Sequence, residues 1–353
     1  MAAAGCELLR RLPGDCLAAA DRCPLFSENW SGALRRHEPL APLTTFKVGG
    51  PAAITARPSD LRELTVLLAI LQRQGCPWRV LGRGSNLLVA DRGYAGVAIV
   101  LDRRLGKIEL LPVTPAMGRP QENVYLVRVE AGCSLAALLN WTIRNGLGGL
   151  EFLAGIPGSI GGAVVMNAGA FGQSLGEKVV ALELVSASGT RTAAPSRPGL
   201  RAAAVLGGKV PAEQMGPKLE ISFTYRHLQG LAPFEVVGAA ILAVEPKPAA
   251  EIKKNVRRHL GRRRAAQPGG VASAGSFFKN PPGDYAGRLI EAAGLKGRRV
   301  GRAEVSPAHA NFLVNLGGAR AEDLHALAVR VQDEVRRHSG VELKPEVHLL
   351  GFE

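Results

Sequence analysis

The sequence predicts an α+β protein of two or three domains. Segments of strand-like alternation are interspersed with segments of helical apolar spacing along its 353 residues. Two glycine-rich loops lie beside short apolar runs, where strands meet turns. The length exceeds the ~150 residues of a typical domain, and no internal repeat accounts for the excess.

Residues 1–39 carry modest helical patterning, at Leu8, Leu9, Leu12, Cys16, Leu17 and Ala20, and read as an N-terminal extension or a helical cover. Residues 43–50, LTTFKVGG, read as a strand broken by Gly49, Gly50 and Pro51. A helix is expected over 59–75, opened by Ser59-Asp60, with Leu61, Leu64, Leu67, Leu68 and Leu71 at helical spacing and Gly75 at its end. Residues 79–81 form a short strand, 82–86 a loop, 87–90 an apolar run and 97–101 another strand. Residues 103–123 mix Pro, Gly and charge, which suggests a subdomain connection or a ragged hairpin.

Residues 125–131 alternate as a strand, and 135–144 are helical up to Asn145-Gly146. Further strands are expected around 179–187, 221–225 and 234–243. A basic helix over 249–264 is followed by a polar run, 267–282. The remainder reads as helix 287–293, strand 312–315, helix 321–338 and strand 347–352. The 321–338 helix repeats Leu324, Leu327, Val331 and Val335 on one face, with Gly340 as its stop.

Composition narrows the class. Apolar residues make up 46% and charged residues 21%, which excludes disorder over most of the chain. Forty-four basic against 30 acidic residues leave +14, compatible with nucleic acid, a membrane surface or a phosphorylated small molecule as partner. Five cysteines without a C-x-x-C pair argue against a disulfide scaffold and a cysteine zinc site, and fit a reducing compartment. No metal site is expected. Charges interrupt every apolar run of the first thirty residues, so no signal peptide is read there and a cytoplasmic protein is expected.

From Phe152 to Gly176 no residue is charged, a length sufficient to span a bilayer. Yet the segment holds seven Gly and a Pro, which cost a helix roughly 1 and 3 kcal/mol each. It reads as backbone wrapped closely around something, and no membrane association is expected. The basic run from Lys253 to Arg264 lacks aromatic residues for stacking, so it reads as a solvated face and not as a nucleic-acid site.

Two loops invite a cofactor. In Gly82-Arg83-Gly84-Ser85-Asn86, backbone N–H groups and two side chains can face an anion. Gly155-Ile156-Pro157-Gly158-Ser159-Ile160-Gly161-Gly162 leads into a small-residue helix, where a diphosphate or flavin ring can approach closely. Taken singly, either loop reads first as a tight turn with close packing. Neither is G-x-G-x-x-G, and no Walker-type phosphate loop is present.

Together with 45–50 (TFKVGG), the loops at 82–88 (GRGSNLL) and 155–172 (GIPGSIGGAVVMNAGAFG) resemble the FAD domain of the UDP-N-acetylenolpyruvoylglucosamine reductase family. Residues 223–226 (FTYR), 274–281 (AGSFFKNP), 309–312 (HANF) and 344–347 (KPEV) resemble the same family, in order, from about Pro39 to the end. The short interval from Arg226 to Ser276 resembles the family type that lacks an extra substrate-covering segment.

The resemblance implies a two-subdomain FAD-binding domain over 40–229, with its break near 103–123. A smaller α/β substrate-binding domain over 230–353 would follow. It implies FAD, held without a covalent bond because no His lies in either loop, and NADPH as co-substrate. The implied reaction reduces the enolpyruvyl ether of UDP-N-acetylglucosamine to UDP-N-acetylmuramate, in peptidoglycan precursor synthesis. Arg226 would hold the carboxylate, Ser276 would donate the proton, and Glu346, its pKa raised by partial burial, would help stabilise the enolate. Taken alone, these are a surface Arg, a Ser in a polar turn and a solvated Glu.

Lys279 and Asn280 are candidates for the UDP phosphates or sugar, with a structural turn before Pro281 as the alternative. Tyr225 either lines the substrate pocket or fills a core. His309 and Asn311 are either polar pocket residues or partners for buried backbone. A flavin oxidase of the same domain type and a basic nucleic-acid-binding protein are the competing readings.

Overall fold

The computed structural model describes residues 30–112, 124–193 and 221–352. The expectations placed on 1–29, 113–123 and 194–220, with Cys6, Cys16 and Cys23, lie outside the described residues. Contacts divide the chain into two compact units of interleaved segments. The first comprises Met1–Leu34, Ala56–Gly82 and Ile99–Leu260, the second Arg35–Thr55, Arg83–Ala98 and Gly261–Glu353.

The first unit is built on an antiparallel sheet with strands Gly189–Ala193, Val179–Ser186, Val236–Pro246, Tyr125–Glu130 and Ile108–Leu111 in that order. Strand Val236–Pro246 is apolar almost throughout because both of its faces are covered. On one face Leu182, Leu184, Ala240, Leu242, Val127 and Val129 join Leu135 and Leu138 of helix Leu135–Arg144 in one core. That helix starts where the Ser134 hydroxyl accepts from Ala137 N–H at 3.1 Å, and ends at Asn145, before Gly146 with φ +62°. Helix Leu61–Arg73 is capped by Asp60, whose carboxylate accepts from Glu63 N–H at 2.8 Å.

The second unit holds an antiparallel sheet in the order Ala272–Ser276, Phe312–Asn315, Ala303–Val305, Arg299–Val300. Leu324, Leu327, Val331 and Val335 of helix Ala321–Ser339 cover it, with Leu289 and Ile290 of helix Ala286–Ala292. The predicted apolar stripe is therefore the buried one, and Gly340 ends the helix with φ +72°. In the same unit Leu87–Val89 pairs in parallel with the C-terminal strand His348–Leu350.

Two expectations are corrected. Residues 43–50 are not a strand: Ala41–Leu43 is a 3-10 turn, and the Thr44 hydroxyl lies 3.1 Å from both the Ala41 and Val48 carbonyls, which share its single proton. That side chain takes the place of a ladder partner, and the strand begins at Pro51, running to Arg57. The polar run 267–282 contains the strand Ala272–Ser276. Of the two readings of 103–123 the hairpin fits its described part, since Ile108–Leu111 pairs antiparallel with Tyr125–Glu130.

The uncharged 152–176 segment forms the six-residue α-helix Ile160–Val165 and a short antiparallel hairpin of Gly169–Ala170 with Gln173–Ser174, flanked by the 3-10 turns Glu151–Leu153 and Leu175–Glu177. Among the described residues no helix is long and apolar enough to cross a membrane. Cys133 is free and buried.

Candidate functional site

The predicted site residues divide between the units: Gly82, 155–162, Tyr225 and Arg226 belong to the first, and Arg83–Asn86, Ser276, Lys279, Asn280 and Glu346 to the second.

In the first unit the loop 155–162 runs beside residues 131–135. Leu135 N–H donates to the Gly158 carbonyl at 3.2 Å, Ile160 N–H to Cys133 at 2.8 Å and Gly161 N–H to Ala131 at 2.9 Å. The approach requires glycine, since a Cβ on Gly161 would stand 2.8 Å from the Ala131 methyl. Gly155 and Gly158 take φ of +76° and +142°, which side chains disfavour. Ile156 packs against the core, so Ile156-Pro157 anchors the loop from behind.

The turn leaves Ser159 Oγ buried with no hydrogen-bond partner among the described residues. A Cβ on Gly82 would collide with that oxygen, so the first loop's glycine and the second loop's serine face each other. Buried hydroxyls are normally bonded, and leaving one unmet costs roughly 1–3 kcal/mol. A glycine-lined backbone with one unmet hydroxyl fits a bound group that offers oxygen atoms, as the diphosphate of FAD does.

Tyr225 and Arg226 form the two-residue turn of the hairpin Ser222–Thr224 with His227–Gln229. Tyr225 is 56% exposed, so it is no core tyrosine. Arg226 has φ +56°, uncommon for a side-chain-bearing residue; its guanidinium lies 5.3 Å from the Tyr225 ring centroid and donates to the Gly169 carbonyl at 3.5 Å.

Asn167 holds this hairpin. Its Nδ2 donates to the Thr224 carbonyl at 2.9 Å, and its Oδ1 accepts from Gly176 N–H at 2.8 Å. Sequence reasoning passed over Asn167 as a site residue; the signal was the asparagine inside an uncharged, small-residue run.

In the second unit Ser276 and Glu346 sit on neighbouring extended segments. Glu346 N–H donates to the Phe277 carbonyl at 2.8 Å, and Lys279 N–H donates to Lys344 at 2.9 Å. The loop 82–86 joins them, because Asn86 Nδ2 donates to the Glu346 carbonyl at 3.0 Å. Within this loop Gly84, at φ +59°, has its carbonyl bonded by Thr45 N–H at 3.1 Å. Lys279 is half-buried. Asn280 Oδ1 accepts from Ala286 N–H at 3.1 Å, so that oxygen serves the start of helix Ala286–Ala292.

His309 and Asn311 resolve toward the backbone alternative. Asn311 Oδ1 accepts from Phe278 N–H at 2.9 Å and its Nδ2 donates to the Phe278 carbonyl at 2.8 Å. His309 Nδ1 accepts from Asn311 N–H at 3.2 Å, and burial holds this imidazole's pKa below the ordinary value. Among the described residues no group of three or more His, Cys, Asp or Glu could hold a metal ion.

The glycine-lined backbone around an unmet buried hydroxyl defines a candidate flavin-binding protein, and a family model described as FAD binding domain matches residues 52–194. A second, the C-terminal domain of UDP-N-acetylenolpyruvoylglucosamine reductase, matches residues 267–350. The chain is 41% identical over 320 residues to UDP-N-acetylenolpyruvoylglucosamine reductase 2 of Symbiobacterium thermophilum, covering 91% of this chain and 93% of that one. It is 42% identical to the reductase of Alkalilimnicola ehrlichii, covering 91% and 95%. The crystal structure of the Thermus caldophilus reductase aligns with a TM-score of 0.68 at 33% identity, covering 90% of this chain and 98% of that one. The chain belongs to the UDP-N-acetylenolpyruvoylglucosamine reductase family.

Proposed function

We propose that this chain reduces the enolpyruvyl ether of UDP-N-acetylglucosamine to UDP-N-acetylmuramate. FAD is held without a covalent bond, NADPH is the co-substrate, and the reaction takes place in the cytoplasm. The observation that carries the reading is the linkage of Ser276, Glu346 and Asn86 through three adjoining backbone segments, in a chain of this family. When bound, the flavin supplies the hydride that NADPH delivers.

The residues 40–229 serve as the FAD-binding domain, with Gly82, Arg83, Gly84, Ser85, Asn86 and the loop 155–162 as its contacts. Residues 230–353 form the substrate-binding domain. Arg226 binds the substrate carboxylate, because a guanidinium keeps its charge and offers two parallel N–H donors to it. Negative charge that grows on the carbon next to that carboxylate is thereby met by a cation already in place. Ser276 donates its hydroxyl proton to this carbon; the acid is weak, but an enolate is a strong enough base to take it. Glu346, half-buried beside it, helps hold the carboxylate end in its reactive form. Lys279, Asn280 and Tyr225 contact the UDP phosphates, sugar or pocket wall.

Purified protein tests the reading. It should be yellow, and it should oxidise NADPH only when the enolpyruvyl substrate is present. A colourless protein, or NADPH oxidation indifferent to that substrate, would overturn the proposal.

A further inference from the structure

We propose that Asn311 is the positioning residue that aims the Ser276 hydroxyl, by acting as a strand partner made from a side chain. The inference rests on the reading of Ser276 as proton donor. Strand Ala272–Ser276 pairs with Phe312–Asn315, but its register shifts by one residue between Ser273 and Ser276, with Gly275 at φ +78°. Such a bulge bends a strand and re-aims the side chain beside it. Ser276, still opposite Phe312, is the last paired residue on this ladder.

Beyond the bulge the chain changes partners. Phe277 C=O and Lys279 N–H pair with Glu346 and Lys344. Both backbone groups of Phe278, between them, go to the Asn311 carboxamide. A carboxamide carries one acceptor and a donor in the arrangement of a peptide group, so it can complete a ladder where no strand runs. The Asn311 carbonyl also accepts from Phe277 N–H at 2.7 Å. Three hydrogen bonds from one residue, only 3% exposed, thus fix the two positions that follow Ser276.

Asn315 is the internal comparison. It is a buried asparagine on the same strand with three side-chain bonds against the two of Asn311, but these go to the Phe46 carbonyl and to Gly317 and Ala319 N–H. Its loss should destabilise without touching the aim of Ser276.

The test uses flavin-loaded Asn311→Ala, Asn315→Ala and Ser276→Ala proteins. Flavin content, thermal midpoint and the two half-reactions are each measured by absorbance. Asn311→Ala should retain flavin and be reduced by NADPH at the parent rate, while reoxidation by the enolpyruvyl substrate slows by roughly tenfold to a hundredfold, the usual effect of misplacement by about 1 Å. Asn315→Ala should lower the midpoint and leave the ratio of the two rates unchanged.

Equal slowing of both half-reactions in Asn311→Ala, normal reoxidation, or the same selective loss in Asn315→Ala would overturn the inference. If Asn311→Ala fails to hold flavin, Asn311→Asp, which keeps the acceptor for Phe278 N–H, is judged by the same ratio. Normal reoxidation in Ser276→Ala removes the proposed role of Ser276 itself. Selective loss in Ser276→Ala with none in the Asn311 variant removes only the positioning role.

Discussion

Replacing Gly84 by Ala separates the cost of a left-handed backbone from the cost of a collision. Gly84 and Gly75 share a φ of +59°, but their surroundings differ. A Cβ at Gly75 meets nothing within 4 Å, so Gly75→Ala should cost only the left-handed strain, roughly 1–2 kcal/mol. At Gly84 the same Cβ would collide with the Leu43 carbonyl oxygen and stand 2.8 Å from Thr44 Cα. These are backbone atoms and no rotamer relieves them, so overpacking adds roughly 1–3 kcal/mol. At roughly 2–4 °C per kcal/mol for large domains, Gly84→Ala should melt several degrees below Gly75→Ala. Circular dichroism on flavin-free protein measures the difference. Gel filtration of loaded protein should show flavin lost from Gly84→Ala and kept by Gly75→Ala. Equal midpoints would refute the collision argument, and full flavin retention in Gly84→Ala would detach this loop from the cofactor.

Ser276→Ala should leave reduction by NADPH nearly intact and slow reoxidation by substrate on the order of 100-fold, the usual worth of a general acid; stopped-flow absorbance follows the two steps separately. His309 sets a stability limit on the acid side. Burial lowers its pKa in the folded protein, so its contribution is fully present above about 6.5 and is lost as pH falls toward the folded value. The midpoint of the parent should therefore drop below pH 6.5 more steeply than that of His309→Gln, and parallel curves would remove His309 from the account. The +14 charge should aid capture of the anionic substrate, so added salt should raise KM and leave kcat nearly constant. A salt-independent KM would contradict this.

Local order was legible in the residues wherever a few neighbours decide it. Leu61–Arg73, Leu135–Arg144 and Ala321–Ser339 follow from apolar spacing, a cap at Asp60 or Ser134, and a left-handed glycine at Gly340. The family motifs were legible too, because glycine is required where backbone approaches within a side chain's width, as Gly82 and Gly161 do. Tertiary structure decided the rest.

Residues 43–50 look like a strand, yet the Thr44 side chain satisfies the backbone that a ladder would have paired. Ala272–Ser276 looks like a loop, yet the neighbouring strand Phe312–Asn315 gives its small residues a ladder to join. No spacing along the chain could reveal that Asn86 reaches Glu346 or that Asn311 serves Phe278, since their separations of 260 and 33 residues are closed only by folding. Asparagine has no periodic signature. What it does depends on which peptide groups the finished fold leaves without partners, and composition does not contain that information.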